Sequence, residues 1–174
     1  MKNLLYISIL LAVGLTACDQ KIDYPYQGQD RIHFTHYTQD HNGVRTYYTQ
    51  KTYSLGFLAD EIHEETIKIP VELLGRVSEK ERTYQVGIIS ETTNAVEGVH
   101  YEPFSPTQTF AAGAISDTLR ITVNRDALST SFRNPEDIYL HLKIVPTDDF
   151  GIGLAGGATM KVVLTNYPVS YTHL

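Results

Sequence analysis

The chain has 174 residues, a formal net charge of −6 and a single cysteine. This length accommodates one domain with a proper hydrophobic core, and the single cysteine excludes an internal disulfide, so the fold must rest on that core alone. The mildly acidic charge is mixed along the chain, which argues against nucleic acid or an anionic lipid surface as a partner.

The N-terminal residues have the layout of a secretory signal peptide. Lys2 provides a basic start, an apolar run extends from Leu4 to Leu15, and small residues lead up to Cys18. The apolar run is too short to cross a bilayer as a helix, which needs about 20 residues. We therefore expect residues 1–17 to be removed on export.

The ending Leu15-Thr16-Ala17-Cys18 resembles a bacterial lipobox. That resemblance implies cleavage before Cys18 and acylation of its thiol, which would anchor the protein by lipid in the outer membrane or at the cell surface. The alternative is an unmodified cysteine behind an ordinary signal peptide. We expect Cys18 to be the lipidation site and the membrane to be a partner through that anchor.

Residues 18–30 are predicted to form a tether, because they are polar, contain Pro25 and show no apolar periodicity. From Arg31 onward apolar residues alternate with polar ones, which is the pattern of half-buried strands. Strands are predicted at Arg31–Tyr37, within Thr46–Phe57, and at Thr66–Leu73, Tyr84–Ile88, Leu119–Val123, Ile138–Ile144 and Met160–Leu164.

About seven to eight short strands joined by turns indicate an all-β sandwich over residues 31–168. A turn is expected at Asp40–Gly43, and one or two helical turns at Asn124–Phe132. Pro70 cannot donate to a β-ladder, so its strand is expected at a sheet edge or with a bulge.

Three motifs follow one another in the second half of the chain. Asn94–Tyr101 contains Gly-x-His-Tyr, Thr109–Gly113 contains Phe-x-x-Gly, and Asp117–Val123 alternates as a strand. This order resembles the core of Calx-beta repeats. Together with the lipobox, an early Arg-Ile-x-Phe strand and the late turn Asp149–Gly153, it also resembles a family of uncharacterised Bacteroidota lipoproteins known as a domain of unknown function.

The family resemblance implies an immunoglobulin-like β-sandwich behind a lipoprotein signal peptide, location at the outer membrane, and genes beside starch-utilisation-type nutrient uptake systems. Calx-beta domains also bind calcium through acidic residues clustered at one end of the sandwich. His100 stands where the calcium-binding relatives usually have Asp, and acidic pairs on loops are usually solvated. The pairs in this chain are Asp60-Glu61, Glu64-Glu65, Glu136-Asp137 and Asp148-Asp149.

Other residues of the motifs have packing interpretations. Gly98 is expected where φ is positive or a side chain would clash, Gly113 where the chain reverses, and Tyr101 with its ring buried. Asp117-Thr118-Leu119 resembles an O-glycosylation site of Bacteroidota, although it starts a strand. Residues 169–174 resemble translated sequencing-adapter sequence, so the position of the natural C-terminus is left undetermined.

The sequence offers little catalytic chemistry. His33 and His36 are three apart, which on a strand places them on opposite faces and disfavours a shared metal. No Gly-x-Ser-x-Gly motif occurs, and the glycine-rich segment 151–157 lies between two strands instead of opening a helix. We therefore predict no enzyme activity, no catalytic residue, no metal and no cofactor.

The resulting hypothesis is a non-catalytic outer-membrane or cell-surface lipoprotein, an accessory or binding module associated with glycan or nutrient uptake. Its candidate partners are a glycan or another surface protein. Exposed tyrosines are the candidates for ligand stacking: Tyr24, Tyr26, Tyr47 and Tyr48. The alternatives are a structural or adhesive protein that pairs with partner sandwiches through an edge strand, and a calcium-stabilised Calx-beta-like module.

Overall fold

The computed structural model describes residues 28–131, 133 and 136–167. Cys18, the signal peptide, most of the tether and the tail at 169–174 lie outside this part of the chain, as do Tyr24 and Tyr26. In the described residues no helix has the length and apolar character needed to span a membrane.

The described chain forms eleven strands and three short 3-10 helices. The strands are β1 (Arg31–Phe34), β2 (Tyr37–Gln39), β3 (Arg45–Tyr47), β4 (Gln50–Ser54), β5 (Glu64–Leu74), β6 (Arg82–Ile88), β7 (Thr107–Phe110), β8 (Ser116–Asn124), β9 (Ile138–Val145), β10 (Gly151–Ile152) and β11 (Thr159–Thr165). The 3-10 helices are Ser90–Thr92, Arg125–Ala127 and Ala155–Gly157.

Two sheets pack face to face. One has the strand order β10-β1-β5-β8 and the other has the order β4-β11-β9-β6-β7, while β2 and β3 pair only with each other. β1 and β10 are parallel, as are β4 and β11; the other ladders are antiparallel. The predicted all-β sandwich is confirmed; seven strands correspond to the named predictions, and the additional ones are β2, β3, β7 and β10.

The core lies between the sheets and is built from the alternating residues that define the strands. Ile67, Ile69 and Val71 of β5 are buried, and the predicted inward residues of β8, β9 and β11 are buried as well. Three aromatic rings fill one part of this core. The ring centroids of Tyr84 and Phe110 are 6.2 Å apart, and those of Phe110 and Phe150 are 5.6 Å apart. Such pairs add to the stabilisation from burial.

The expected edge position of the Pro70 strand is wrong for the strand as a whole. β5 is interior, between β1 and β8. However, the ladder with β1 ends where Phe34 pairs with Val71, and just beyond it the backbone N–H of Thr35 donates to the carbonyl of Pro70. The proline therefore lies where pairing with β1 stops. Its missing N–H removes no hydrogen bond from the part of β5 that pairs with β1.

Two other local expectations can be compared with the structure. The segment beginning at Asn124 contains one 3-10 helix, Arg125–Ala127, which Asn124 caps by accepting a hydrogen bond from the N–H of Asp126. Phe132 lies outside the described residues. At the other boundary, Asp30 is 8% exposed and pairs with Arg82 at 2.7 Å, so the packed domain already includes a residue that was assigned to the tether.

Side chains cover backbone groups at two places on the sheet edges. Arg120 on the edge strand β8 donates to the carbonyl of Thr118 at 3.2 Å. The hydroxyl of Tyr53 donates to the carbonyl of Lys68, in the half of β5 that β1 does not reach. Charged and capped edges resist pairing with another strand, which weakens the case for an adhesive protein acting through these two edges.

Candidate functional site

A two-stranded hairpin projects where the chain passes from one sheet to the other. β1 belongs to the first sheet and β4 to the second, and β2 and β3 lie between them. Asp40 closes the turn by accepting hydrogen bonds from the N–H groups of Asn42, at 2.9 Å, and Val44, at 2.8 Å, while Gly43 has a φ of +83°. The predicted turn is thus confirmed, because Asp and Gly supply what its geometry requires.

The hairpin and the adjoining ends of β1 and β4 carry five aromatic rings, which we call the aromatic surface: His33, His36, Tyr37, Tyr47 and Tyr48. Ring centroids are 5.6 Å apart for Tyr37 and Tyr47, and 5.6 Å apart for His36 and Tyr48. The rings of His33 and Tyr47 meet edge to face at 6.5 Å. Tyr47 and Tyr48 are 45% and 43% exposed, so each offers a large part of its ring to solvent.

The aromatic surface borders two concavities that share Tyr48. The outer groove has a volume of about 450 Å³ and is lined by His36, Thr38, Tyr48, Gln50, Lys51 and Thr52. The inner pocket has a volume of about 200 Å³ and is lined by His33, Phe34, Tyr47, Tyr48, Leu154, Gly156 and Gly157. A ligand that occupied both would contact Tyr48 in each of them.

His33 is the unusual member of the inner pocket. It is 2% exposed, and neither of its ring nitrogens has a hydrogen-bond partner in the described part of the chain. The nearest carboxylate oxygen of Glu72 is 4.0 Å from Nε2, too far for a hydrogen bond. Burial lowers the pKa of His33, and the charge of Glu72 opposes this only in part, so the imidazole is neutral at pH 7.

Segment 151–157 explains how a polar residue of β1 becomes buried. Ile32 and Phe34 point into the core, so the intervening His33 points to the outer face of the sheet. β10 pairs with β1, and the chain then brings Gly157 against His33: a Cβ placed on Gly157 would be 2.7 Å from His33 Cβ and 2.9 Å from the carbonyl oxygen of Phe34. Only glycine allows this approach.

The outer groove has a different electrostatic character. Burial lowers the pKa of His36, and the positive charge of Lys51 lowers it further, so His36 is also neutral at pH 7. Lys51 brings one cationic donor to the groove, and its ammonium lies 4.6 Å from the ring centre of Tyr53. The groove therefore combines aromatic faces with a few polar groups.

A third concavity, of about 470 Å³, lies beside the start of β1. It is lined by Arg31, Leu74, Gly75, Arg76, Gly153 and Leu154. The Nε atom of Arg76 is 3.5 Å from an Asp30 oxygen, so its charge is already compensated, and no aromatic ring lines the depression. It is a weaker candidate for ligand binding than the aromatic surface.

The structure separates the two histidines that the sequence offered as metal ligands. His33 faces the inner pocket, whereas His36 packs on Tyr48 and lines the outer groove. Within residues 28–131, 133 and 136–167 no group of three or more His, Cys, Asp or Glu side chains could hold a metal ion.

Several acids of the predicted pairs have structural partners. Asp149 accepts from the N–H of Thr83 at 2.8 Å, Asp60 is 4.0 Å from Arg125, and Asp137 accepts from the hydroxyl of Tyr167. The contacts of Asp149 and Asp137 fix loops to the sandwich, whereas the Asp60 side chain is fully exposed, and among the described residues no three acids come together as a metal site. The arrangement therefore gives no support to the calcium-stabilised alternative.

The motif residues have the local geometry that was expected. Gly98 and Gly113 each have a φ of +74°, and Tyr101 is 3% exposed. The Nδ1 atom of His100 accepts a hydrogen bond from the N–H of Val96 at 2.9 Å, which closes the Gly-x-His-Tyr loop on itself. Thr118 of the possible glycosylation site is half-buried within β8, and its modification stays an open expectation.

Tyr47 and Tyr48, which the sequence offered as candidates for ligand stacking, lie on the exposed surface. The burial of His33 and the close contact made by Gly157 were not predicted. The alternation of Ile32, His33 and Phe34 predicts that His33 faces solvent. In the structure the distant segment 151–157 covers it.

Residues 26–170 match a family described as a domain of unknown function, DUF4843. The chain belongs to the DUF4843 family. No curated protein sequence matches it. The family resemblance inferred from the ordered motifs is therefore confirmed at the level of a domain of unknown function, and the fold can be compared with solved structures.

The DUF4843 domain is similar in fold to CBD12 from CALX1.2, with a TM-score of 0.52 and 12% identity over 78% of this chain and 43% of that one. It is also similar to a protein of unknown function from Bacteroides ovatus, with a TM-score of 0.50 and 17% identity over 76% of this chain and 43% of that one. These identities are low, so the similarities establish the fold alone.

A third structure comes from Bacteroides ovatus ATCC 8483 and is provisionally described as a carbohydrate-binding protein. It matches with a TM-score of 0.49 and 11% identity over 78% of this chain and 36% of that one. That overlap is too loose to carry its ligand over. The DUF4843 chain thus spans less than half the length of each of these three chains.

Proposed function

We propose that this DUF4843 protein is a non-catalytic, lipid-anchored protein of the outer membrane or cell surface that binds a glycan through its aromatic surface. The single observation that carries the glycan proposal is the pair of half-exposed rings, Tyr47 and Tyr48, beside two concavities.

Tyrosine suits this task because its ring has an apolar face and a polar hydroxyl. A sugar ring has the matching character, with C–H groups on its faces and hydroxyls around its rim. Binding sites for small molecules are typically concave, rich in aromatic side chains and supplied with a few polar groups. The outer groove has this composition, with Tyr48 and His36 beside Thr38, Gln50 and Lys51.

The anchor part of the proposal rests on the sequence, where Leu15-Thr16-Ala17-Cys18 has the form of a lipobox. Acyl chains at Cys18 would hold the sandwich near a lipid surface. Its test is the Cys18→Ala variant, which we expect to move from the membrane fraction to the soluble fraction. A wild-type protein whose mass shows a bare thiol and an uncleaved N-terminus would overturn the anchor.

Glycan binding is tested by affinity electrophoresis of the full chain in gels that contain starch, xylan or mannan. We expect at least one polysaccharide to retard the wild-type protein, and Tyr48→Ala to weaken binding about tenfold, the loss expected for an aromatic contact worth about 1.4 kcal/mol. Phe57→Ala is the matched control, since Phe57 is 69% exposed and lines neither concavity. Equal migration in every gel would contradict the proposal.

A further inference from the structure

We propose that the outer groove binds an acidic sugar unit, and that the ammonium group of Lys51 recognises its negative charge. This inference rests on the proposed glycan-binding function and specifies the chemical class of the glycan: a chain that carries carboxylate or sulfate groups. The ring of Tyr48 would hold the sugar ring, and Lys51 would distinguish acidic units from neutral ones.

The first observation is that Lys51 carries a charge without a partner of opposite sign. Among the described residues no hydrogen bond or ion pair involves its ammonium group. Its Nζ atom is also not one of the buried unpaired polar atoms, so it remains accessible where Lys51 lines the groove. Burial lowers the pKa of Lys51, because part of the water around the ammonium is excluded. The charge is therefore reachable but only partly hydrated.

The second observation is how the ammonium group is held in place. Its nitrogen lies over the ring of Tyr53, 4.6 Å from the ring centre, where the ring quadrupole attracts a cation. The hydroxyl of Tyr53 donates to the carbonyl of Lys68 in β5, which ties this ring to the opposite sheet. Lys51 thus has a preferred position before a ligand arrives, and this lowers the cost of ordering its side chain on binding.

The third observation is the charge of the surroundings. No Asp or Glu lines the outer groove, and no carboxylate is among the groups that shift the pKa of His36 or of Lys51. The groove is therefore locally positive, although the whole chain has a net charge of −6. Exposed charges farther apart than about 8 Å are largely screened at physiological ionic strength, so the local charge decides which ligand fits.

These observations favour an acidic unit over a neutral one. A neutral ligand that covered Lys51 would remove water from an ammonium group without supplying an opposite charge, which costs free energy. A carboxylate or sulfate group would supply that charge and strong hydrogen-bond acceptors. The hydroxyl groups of Thr38 and Tyr48, 3.2 Å apart, line the same groove and are placed to meet sugar hydroxyls. The groove thus offers separate contacts for the charge, the hydroxyls and the ring.

The test compares acidic polysaccharides with their own neutral forms. Titration calorimetry of the full chain uses glucuronoxylan and polygalacturonate before and after chemical reduction of their carboxyl groups to alcohols. Dextran sulfate beside dextran distinguishes sulfate from carboxylate as the recognised group. We expect at least one acidic polymer to bind about tenfold more tightly than its neutral form, the effect of one charge-assisted contact. Added salt should weaken binding of the acidic polymer more than that of the neutral one.

Variants of Lys51 assign this preference to its charge. Lys51→Met keeps the apolar stem and removes the charge, so it should abolish the preference, whereas Lys51→Arg should retain most of it. Lys143→Met is the matched control: it removes one positive charge at an exposed lysine that lines neither the outer groove nor the inner pocket. Melting temperatures show whether each variant is folded, and the comparison of acidic and reduced polymers needs only the wild-type protein.

Two results would overturn the inference while leaving the proposed function intact. One is equal affinity of the wild-type protein for every acidic polymer and its neutral form, with binding still lost in Tyr48→Ala. The other is an unchanged preference for the acidic polymer in folded Lys51→Met. Failure of the wild-type chain to bind any polysaccharide, neutral or acidic, would overturn both.

Discussion

Gly157 lies so close to His33 that a methyl group on its Cα would approach the Cβ of His33 to 2.7 Å. The same methyl group would be 2.9 Å from the carbonyl oxygen of Phe34, which belongs to the β1 backbone and cannot turn aside. The contact therefore fixes the position of the His33 side chain relative to segment 151–157.

Gly157→Ala is expected to lower the free energy of unfolding by about 1–3 kcal/mol, the usual cost of overpacking a close contact. Gly156→Ala is its control, because the nearest atom to a Cβ there is Thr49 Cγ2 at 4.0 Å. Urea unfolding of the two variants measures the difference. Equal stabilities would show that segment 151–157 moves freely away from β1.

His33→Phe is expected to raise the free energy of unfolding of the ligand-free protein by about 1 kcal/mol. The substitution removes two unpaired buried nitrogens, each of which costs stability, and keeps an aromatic ring in place. Chemical denaturation checks this prediction, and a clearly less stable variant would mean that His33 has a partner or a packing role in the fold.

The same substitution should change how stability depends on pH. Burial holds the pKa of His33 below its usual value, so the unfolded chain binds a proton more readily than the folded one. Titration of His33 thus has no effect on the free energy of unfolding above about pH 6.5. As the pH falls below that value, it lowers the free energy of unfolding of the wild-type protein by up to about 1.4 kcal/mol per pH unit.

We therefore expect the advantage of His33→Phe over wild type to grow between about pH 6.5 and pH 5. The pKa of His36 and that of His141 are also lowered by burial, but both residues remain in the variant and cancel in the comparison. Glu72 is the charged group nearest His33 and is likewise present in both proteins. Parallel curves of unfolding free energy against pH would contradict the lowered pKa of His33.

Asp30→Asn is expected to lower the free energy of unfolding by about 3 kcal/mol near pH 7. Asp30 accepts hydrogen bonds from the N–H of Arg76 at 2.9 Å and from Arg82 at 2.7 Å, and both side chains of the Asp30–Arg82 pair are largely buried. Removing one member of such a pair leaves the other charge uncompensated.

The pH dependence provides the check on Asp30. Burial by itself would raise the pKa of Asp30, but the hydrogen bonds and charges of Arg76 and Arg82 lower it overall. Its stabilising contribution is therefore present above about pH 4 and is lost as the pH falls through the lowered value. The difference between wild type and Asp30→Asn should shrink in that acidic range, and a difference independent of pH would exclude this ion pair as its cause.

The strands and the core were predictable because they follow from local alternation. The run from Ile67 to Leu73 shows its buried face in the sequence itself, and the Asp40–Gly43 turn shows its chemistry. The interior position of β5 was not predictable, since it depends on pairing with β1 and β8, which are distant in sequence, and no local pattern encodes that pairing.

The candidate site was predictable only in part. Tyr47 and Tyr48 stand out as aromatic residues in a polar segment, so their exposure could be anticipated. The burial of His33 depends on Gly157, a residue 124 positions away that touches it only after the two sheets have formed. Contacts between residues so far apart in the chain produce no periodic pattern in the sequence.

The β2–β3 hairpin exchanges hydrogen bonds of regular ladders only within itself, outside both sheets of the sandwich. Substitutions in the hairpin, whose Thr38 lines the outer groove, can therefore reshape the groove without breaking a ladder hydrogen bond of either sheet. Relatives with this scaffold are free to vary the shape of this groove while folding in the same way, and comparison of their hairpins would reveal how far that variation has gone.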